Sequence, residues 1–170
     1  MKKVFFLAAL LVCSIAAQAQ RFALVDMEYI LKQIPAYEQA NQQMESLSKQ
    51  WQSEVEAKAQ EAKTMYDEYQ KNASNLSATQ KTAQENAIIA KEKEAADLRK
   101  KYFGPEGEGM KKRQELITPI QDVIYNAIKD IATQKNYDAV IDRASAQSMI
   151  FASPRIDISN EVLAKLGYSN

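Results

Sequence analysis

The chain has 170 residues, enough for one ordinary domain, with 22 Lys and Arg against 22 Asp and Glu, no His and a single Cys, at position 13. This composition excludes an imidazole base and a thiolate metal cluster, and the balanced charge gives no reason to expect nucleic acid as a main partner. No G-x-S-x-G or phosphate-loop pattern is present either, so the reading is of a non-enzyme, with no catalytic residue, metal or cofactor expected.

The chain opens with Met1-Lys2-Lys3, an apolar run from Val4 to Ala17, and Ala17-Gln18-Ala19. A basic start, a short apolar stretch and an A-x-A site are the parts of a secretory signal peptide, so residues 1–19 are expected to be cleaved and the mature chain to be exported to the periplasm. Cys13 raises lipidation as an alternative, but Val12 before it suits that processing poorly. Removal of Lys2 and Lys3 changes 22 against 22 into 20 against 22, a net charge of −2, and leaves no Cys.

Arg21–Asp26 is short, apolar and β-rich and reads as a strand buried on both faces. Met27–Ile34 reads as a short helix stopped by Pro35. Residues 36–103 then run without a Pro or Gly and are rich in Ala, Gln, Glu, Lys and Met, which lose least on entering a helix. Met44, Leu47, Trp51, Val55, Ala59, Ala62, Tyr66, Tyr69, Ala73 and Leu76 follow one another at steps of three or four. That is nine steps over 32 residues, about 3.56 per turn, the spacing of one face of a nearly straight helix. The row includes three Ala, which predicts a thin seam. The only Asn, Ser and Thr cluster in the stretch is 72–79, and Ser77 with Gln80 makes a capping box. The expectation is a helical hairpin arm over residues 36–110 with its tip near 74–79.

Gly104, Pro105, Gly107 and Gly109 interrupt the returning helix. They read as a loop, or more sharply as a hinge for the arm. From Met110 the helix resumes with Ile117, Ile124 and Ile131 at sevens, the strongest heptad signal in the chain, and Pro119 is expected to kink it or mark its start. Residues 137–142 and 147–152 read as a second and a third strand joined by a hairpin loop at 143–146. A last short helix capped by Asp157 or Ser159 ends at Gly167.

The fold class is thus mainly α with a small β part: a long helical hairpin arm on a base made of residues 20–35 and 111–170. Three short strands and short helices bury too little to be stable alone and leave sheet edges open. Sharing one sheet or barrel among several copies solves both problems. Phe22, Leu24, Val25, Val140, Ile141, Ile150 and Phe151 are the residues expected to carry that assembly.

The segments Phe22–Met27, Asp138–Asp142 and Asp157–Leu163, in this order and spacing, resemble the Skp (OmpH) family of periplasmic chaperones, and the break at Lys101–Gly107 resembles its Bacteroidetes variant. The resemblance covers the whole mature chain. It implies a homotrimer with a joint β-barrel base, whose three arms hold unfolded outer-membrane proteins in a cavity without ATP. Trp51, Met65, Tyr66, Tyr69, Leu76, Ile88 and Ile89 are the arm's larger apolar residues and the candidates for client contact. This chain lacks the strong basicity of the best-known member. Lys71 and Lys81 flank the tip with no acid between Glu68 and Glu85, which leaves a weak contact with a membrane surface as an option there. A structural coiled-coil spacer of the envelope is the competing reading, and the Ala-rich seam argues against it.

Overall fold

The computed structural model describes residues 21–168; the expected signal peptide at 1–19 lies outside them. The described chain forms two compact units, residues 35–121 and residues 21–34 with 122–168.

The first unit is dominated by a helical hairpin. Helix α2 (Pro35–Asn72) begins on Pro35, where a missing N–H costs nothing, and runs 38 residues, about 57 Å at ~1.5 Å per residue. A 3-10 turn (Ala73–Asn75) and an extended Leu76 reverse the chain. Helix α3 (Ala78–Phe103) starts on Ser77, whose hydroxyl accepts from Gln80 N while the Gln80 side chain accepts from Ser77 N, so both partners of the expected capping box are in place. The buried positions of the returning helix are Ile88, Ala95 and Tyr102, at intervals of seven. Val55 and Ala62, also seven apart, are buried on α2. Alanine on both sides makes the seam thin, as the sequence suggested. Helix α4 (Glu108–Lys135) begins before Pro119 and continues through it, so Pro119 does not mark its start. The boundary between the two units falls within this helix, after Gln121.

The second unit holds two strands, β1 (Phe22–Val25) and β2 (Ala139–Asp142), paired in parallel with Phe22 opposite Ala139 and Val25 opposite Asp142. Everything from Asp26 to Asp138 is the connection between them. Asp138 N donates to Arg21 O and Arg143 N to Val25 O, which extends the ladder at both ends. Helix α1 (Met27–Lys32) starts on Asp26, whose carboxylate accepts from Tyr29 N. Helix α5 (Ser159–Lys165) ends on Gly167 at φ 84, with Tyr168 N returning to Leu163 O. The C-terminal end of α4 uses Asn136 at φ 53 in the same way, with Tyr137 N bonded to Ala132 O. The core of the unit is drawn from β1, α1, α4 and α5: Ala23, Leu24 and Val25 from β1, Ile30 from α1, Ile124, Ala127 and Ile131 from α4, and Ile158, Val162 and Leu163 around α5.

The expected third strand at 147–152 does not form, and 143–146 is therefore not a hairpin loop. Short turns fold this segment instead, with Gln147 N bonded to Ser145 O and Met149 N to Ala146 O. The edge of β1 away from β2 is taken by Asp157, which bridges to Leu24 while Ile158 N donates to Leu24 O, and the outer edge of β2 carries no strand among the described residues. Ile150 and Phe151 are left 101% and 83% exposed. Within one chain the β part is a two-stranded sheet.

Candidate functional site

The hairpin carries the candidate contact residues, and its three regions treat them differently. At the open end of the hairpin, Trp51 stacks on Tyr102 with centroids 5.2 Å apart and planes 8° apart, and Phe103 meets both rings edge-on at 6.4 Å. The Tyr102 hydroxyl donates to Glu54 Oε2 at 2.7 Å, and this bond to a carboxylate raises the tyrosine above its ordinary pKa. Trp51 is thus half-buried in an aromatic cluster that ties α2 to the last turn of α3. Phe103 keeps 43% of its surface exposed.

The glycines beside this cluster are required by close packing. A Cβ on Gly107 would stand 2.8 Å from the carbonyl oxygens of both Lys101 and Tyr102, and one on Gly109 would stand 2.9 Å from that of Tyr102. Gly107 N donates to Gly104 O at 2.9 Å, and Lys111 N to Gly107 O at 3.2 Å. None of Gly104, Gly107 and Gly109 adopts a positive φ. The segment is a tight, hydrogen-bonded elbow between α3 and α4 in which backbone meets backbone.

Along the middle of the hairpin, Ile88 is buried in the seam while its neighbour Ile89 is 60% exposed. Tyr66 is 48% exposed and Met65 half-buried. Glu61 accepts from Lys58 at 2.8 Å and pairs across the hairpin with Lys91 at 3.5 Å; the hydrogen bond from Lys58 holds its carboxyl below the usual range. Nearer the tip, the Tyr69 hydroxyl donates to Glu85 across the hairpin, which raises the tyrosine's pKa, and Leu76 is half-buried at the turn itself. Of the seven candidates, Ile88 faces inward, Trp51 and Tyr69 serve both seam and surface, and Tyr66 and Ile89 present large uncovered apolar area.

In the other unit, Leu24 and Val25 are taken up by the chain's own core, whereas Phe22 and Ile141 are 43% and 42% exposed, and Ile150 and Phe151 are more exposed still. Val140 is half-buried. Beside the sheet sits a polar clamp that sequence reasoning did not find. The Arg143 guanidinium reaches Asp26 Oδ2 at 3.0 Å and Asp157 Oδ2 at 3.2 Å. Asp157 Oδ1 accepts from both Ser159 N and Ser159 Oγ, and Ser159 Oγ in turn accepts from Asp26 N at 2.8 Å. Ser159 is 3% exposed, the sole buried polar residue among those described, and its hydrogen bonds are met inside this network. The signal available was the Asp beside apolar runs; what hid the clamp is that Asp26 lies more than a hundred residues from Arg143, Asp157 and Ser159.

The sequence model of the family described as outer membrane protein (OmpH-like) matches residues 21–166. Among curated relatives, the chaperone protein Skp of Yersinia enterocolitica is 29% identical over 158 residues, covering 92% of each chain. The chaperone protein Skp of Photorhabdus laumondii is 28% identical over 154 residues, covering 90% of each. A crystal structure from Caulobacter crescentus CB15, described as that of an outer membrane chaperone (OmpH-like), superposes with a TM-score of 0.67 over 85% of this chain and 82% of that one, at 12% identity. That likeness is one of fold.

Proposed function

Since this chain belongs to the OmpH-like family, whose Skp members are chaperones, we propose that it is an ATP-independent holdase of the periplasm that binds unfolded outer-membrane proteins and keeps them from aggregating. The observation that carries the reading is the uneven surface of the hairpin. A polar, charged rod leaves Tyr66 and Ile89 largely uncovered, beside half-buried Met65 and Leu76. Scattered apolar contacts of this kind suit many unrelated clients and fix no single one.

Assembly completes the proposal. Phe22 and Ile141 on the sheet, and Ile150 and Phe151 after it, stand uncovered, exposed apolar area of the kind that suits a protein–protein contact. Copies of the chain joined there as a homotrimer, with a shared β base, would carry three hairpin arms around a cavity in which clients are held. The tip, with Lys71 and Lys81, is the part suited to weak contact with an anionic membrane surface.

The test is suppression of aggregation of a urea-unfolded outer-membrane barrel by stoichiometric purified mature protein. Ile88 is buried, so the informative variant substitutes its exposed neighbour together with Met65→Gln and Tyr66→Gln, as Ile89→Gln. The triple variant is expected to keep its helicity and lose several-fold in suppression, since each removed apolar contact contributes of order 1 kcal/mol. Suppression equal to wild type would place the client elsewhere.

A further inference from the structure

Between α2 and α3 lies an open groove of about 770 Å³, and its origin is the small side chains of the seam. Val55, Ala59 and Ala62 on one helix and Ala95 and Ala96 on the other line it; Val55, Ala62 and Ala95 are buried in the seam, and these small side chains leave a shallow apolar floor at the surface. Tyr66 bounds one end and Phe103 the other, and both rings are almost half exposed. From Val55 to Tyr66 is eleven residues, about 16 Å along the helix at ~1.5 Å each. An extended peptide covers that length with about five residues at ~3.3 Å each, and every second side chain points the same way.

The rim has a sign. Lys63, Arg99 and Lys100 line the groove against a single acid, Glu92. Some hairpin cations are neutralised by their neighbours, Lys49 by Glu45, Lys58 by Glu61, and Lys91 by Glu61 and Glu94, but those of the rim are not. Among the described residues, no ion pair is formed by Lys63, Arg99 or Lys100. An apolar floor under a cationic rim with a single acid is complementary to an extended strand whose apolar side chains alternate with carboxylates: the former pack on the floor and the latter meet the rim.

We propose that this groove is a peptide-binding subsite of each hairpin, selecting extended client segments in which apolar residues alternate with Asp or Glu. The proposal rests on the holdase reading and gives it a sequence preference. Unfolded β-strands with one apolar and one acidic face become the favoured ligands, and apolar strands flanked by Lys or Arg the disfavoured ones.

The experiment is fluorescence anisotropy of labelled ten-residue peptides with the full mature protein at low salt. One peptide alternates phenylalanine or leucine with aspartate, a second replaces each aspartate by asparagine, and a third replaces it by lysine. The acidic peptide is expected to bind about tenfold more tightly than the neutral one and the basic one least, with the difference shrinking in 0.5 M salt, where screening acts over only a few ångströms. Two sets of variants at exposed positions separate charge from shape. Lys63→Glu with Arg99→Glu should abolish or reverse the order of the three peptides, and Ala96→Gln should weaken all three by crowding the floor. Equal affinity for the three peptides in wild type, or an unchanged order in the charge-reversed variant of native helicity, overturns the subsite. So does displacement of the acidic peptide by phosphatidylglycerol vesicles at lipid levels that leave both variants equally affected, which would assign the rim to lipid. The parallel aggregation assay keeps the two readings apart. Wild-type suppression with no peptide preference defeats the subsite alone, and peptide preference without suppression defeats the holdase reading alone.

Discussion

Arg143 is the residue with the most to explain. It sits just after β2, half exposed, yet it faces two carboxylates that are each only about one-fifth exposed. One of them caps helix α1 and the other receives both bonds from the buried Ser159 that precede α5. Removing the guanidinium leaves Asp26 and Asp157 facing each other without a cation, and their mutual repulsion falls on the two helix starts. Arg143→Met should therefore cost about 1–2 kcal/mol in urea unfolding of the second unit, more than an exposed ion pair would. A loss within error of zero would mean that water satisfies both carboxylates. Trp51 makes the same point on the hairpin: its ring is a candidate for client contact by composition, and the stack on Tyr102 gives it a structural partner that composition does not reveal.

Among the elements, the elbow between α3 and α4 was expected to be loose because three of the chain's four glycines are in or beside it. Its contacts argue for tightness. Gly107 lies under two carbonyl oxygens, and backbone bonds run in sequence from Lys100 through Gly104 and Gly107 to Lys111. Gly107→Ala forces a Cβ to 2.8 Å from backbone atoms that have no side-chain freedom with which to yield. The expected outcome is a destabilisation of about 1–3 kcal/mol and faster amide exchange in Tyr102–Lys111. If the alanine variant is instead more stable with slower exchange, the glycines serve mobility, as a hinge requires.

For the molecule as a whole, the uncovered apolar residues around the sheet are the feature a single chain leaves unresolved. Ile150 is fully exposed, so a charge there cannot harm the fold of one chain, and any effect must arise between chains. Ile150→Asp should retain native circular dichroism while sedimenting as a smaller species than wild type, since burying an unpaired carboxylate at a contact costs several kcal/mol. The same sedimentation coefficient for both proteins would remove this residue from the proposed trimer contact.

The local features were readable from the chain. The helical content, the reversal at Ser77 and Gln80, the heptad of Ile117, Ile124 and Ile131, and the stops at Pro35 and Gly167 all follow from propensity, capping and periodicity, which act over a few residues. The thin seam was readable too, because alanine is small wherever it sits. What the tertiary structure alone decided are the pairings across long stretches of chain. The parallel register of Phe22 with Ala139 depends on closing a connection of more than a hundred residues, and Asp157, far along the chain from Leu24, bridges to the other edge of β1. Ile150 and Phe151 have strand-like side chains but pair with no strand of their own chain, so periodicity could name their type and not their place. The glycines show the same division: the sequence announces that the backbone does something special at 104–109, and only the approach of the Lys101 and Tyr102 carbonyls says that it is contact.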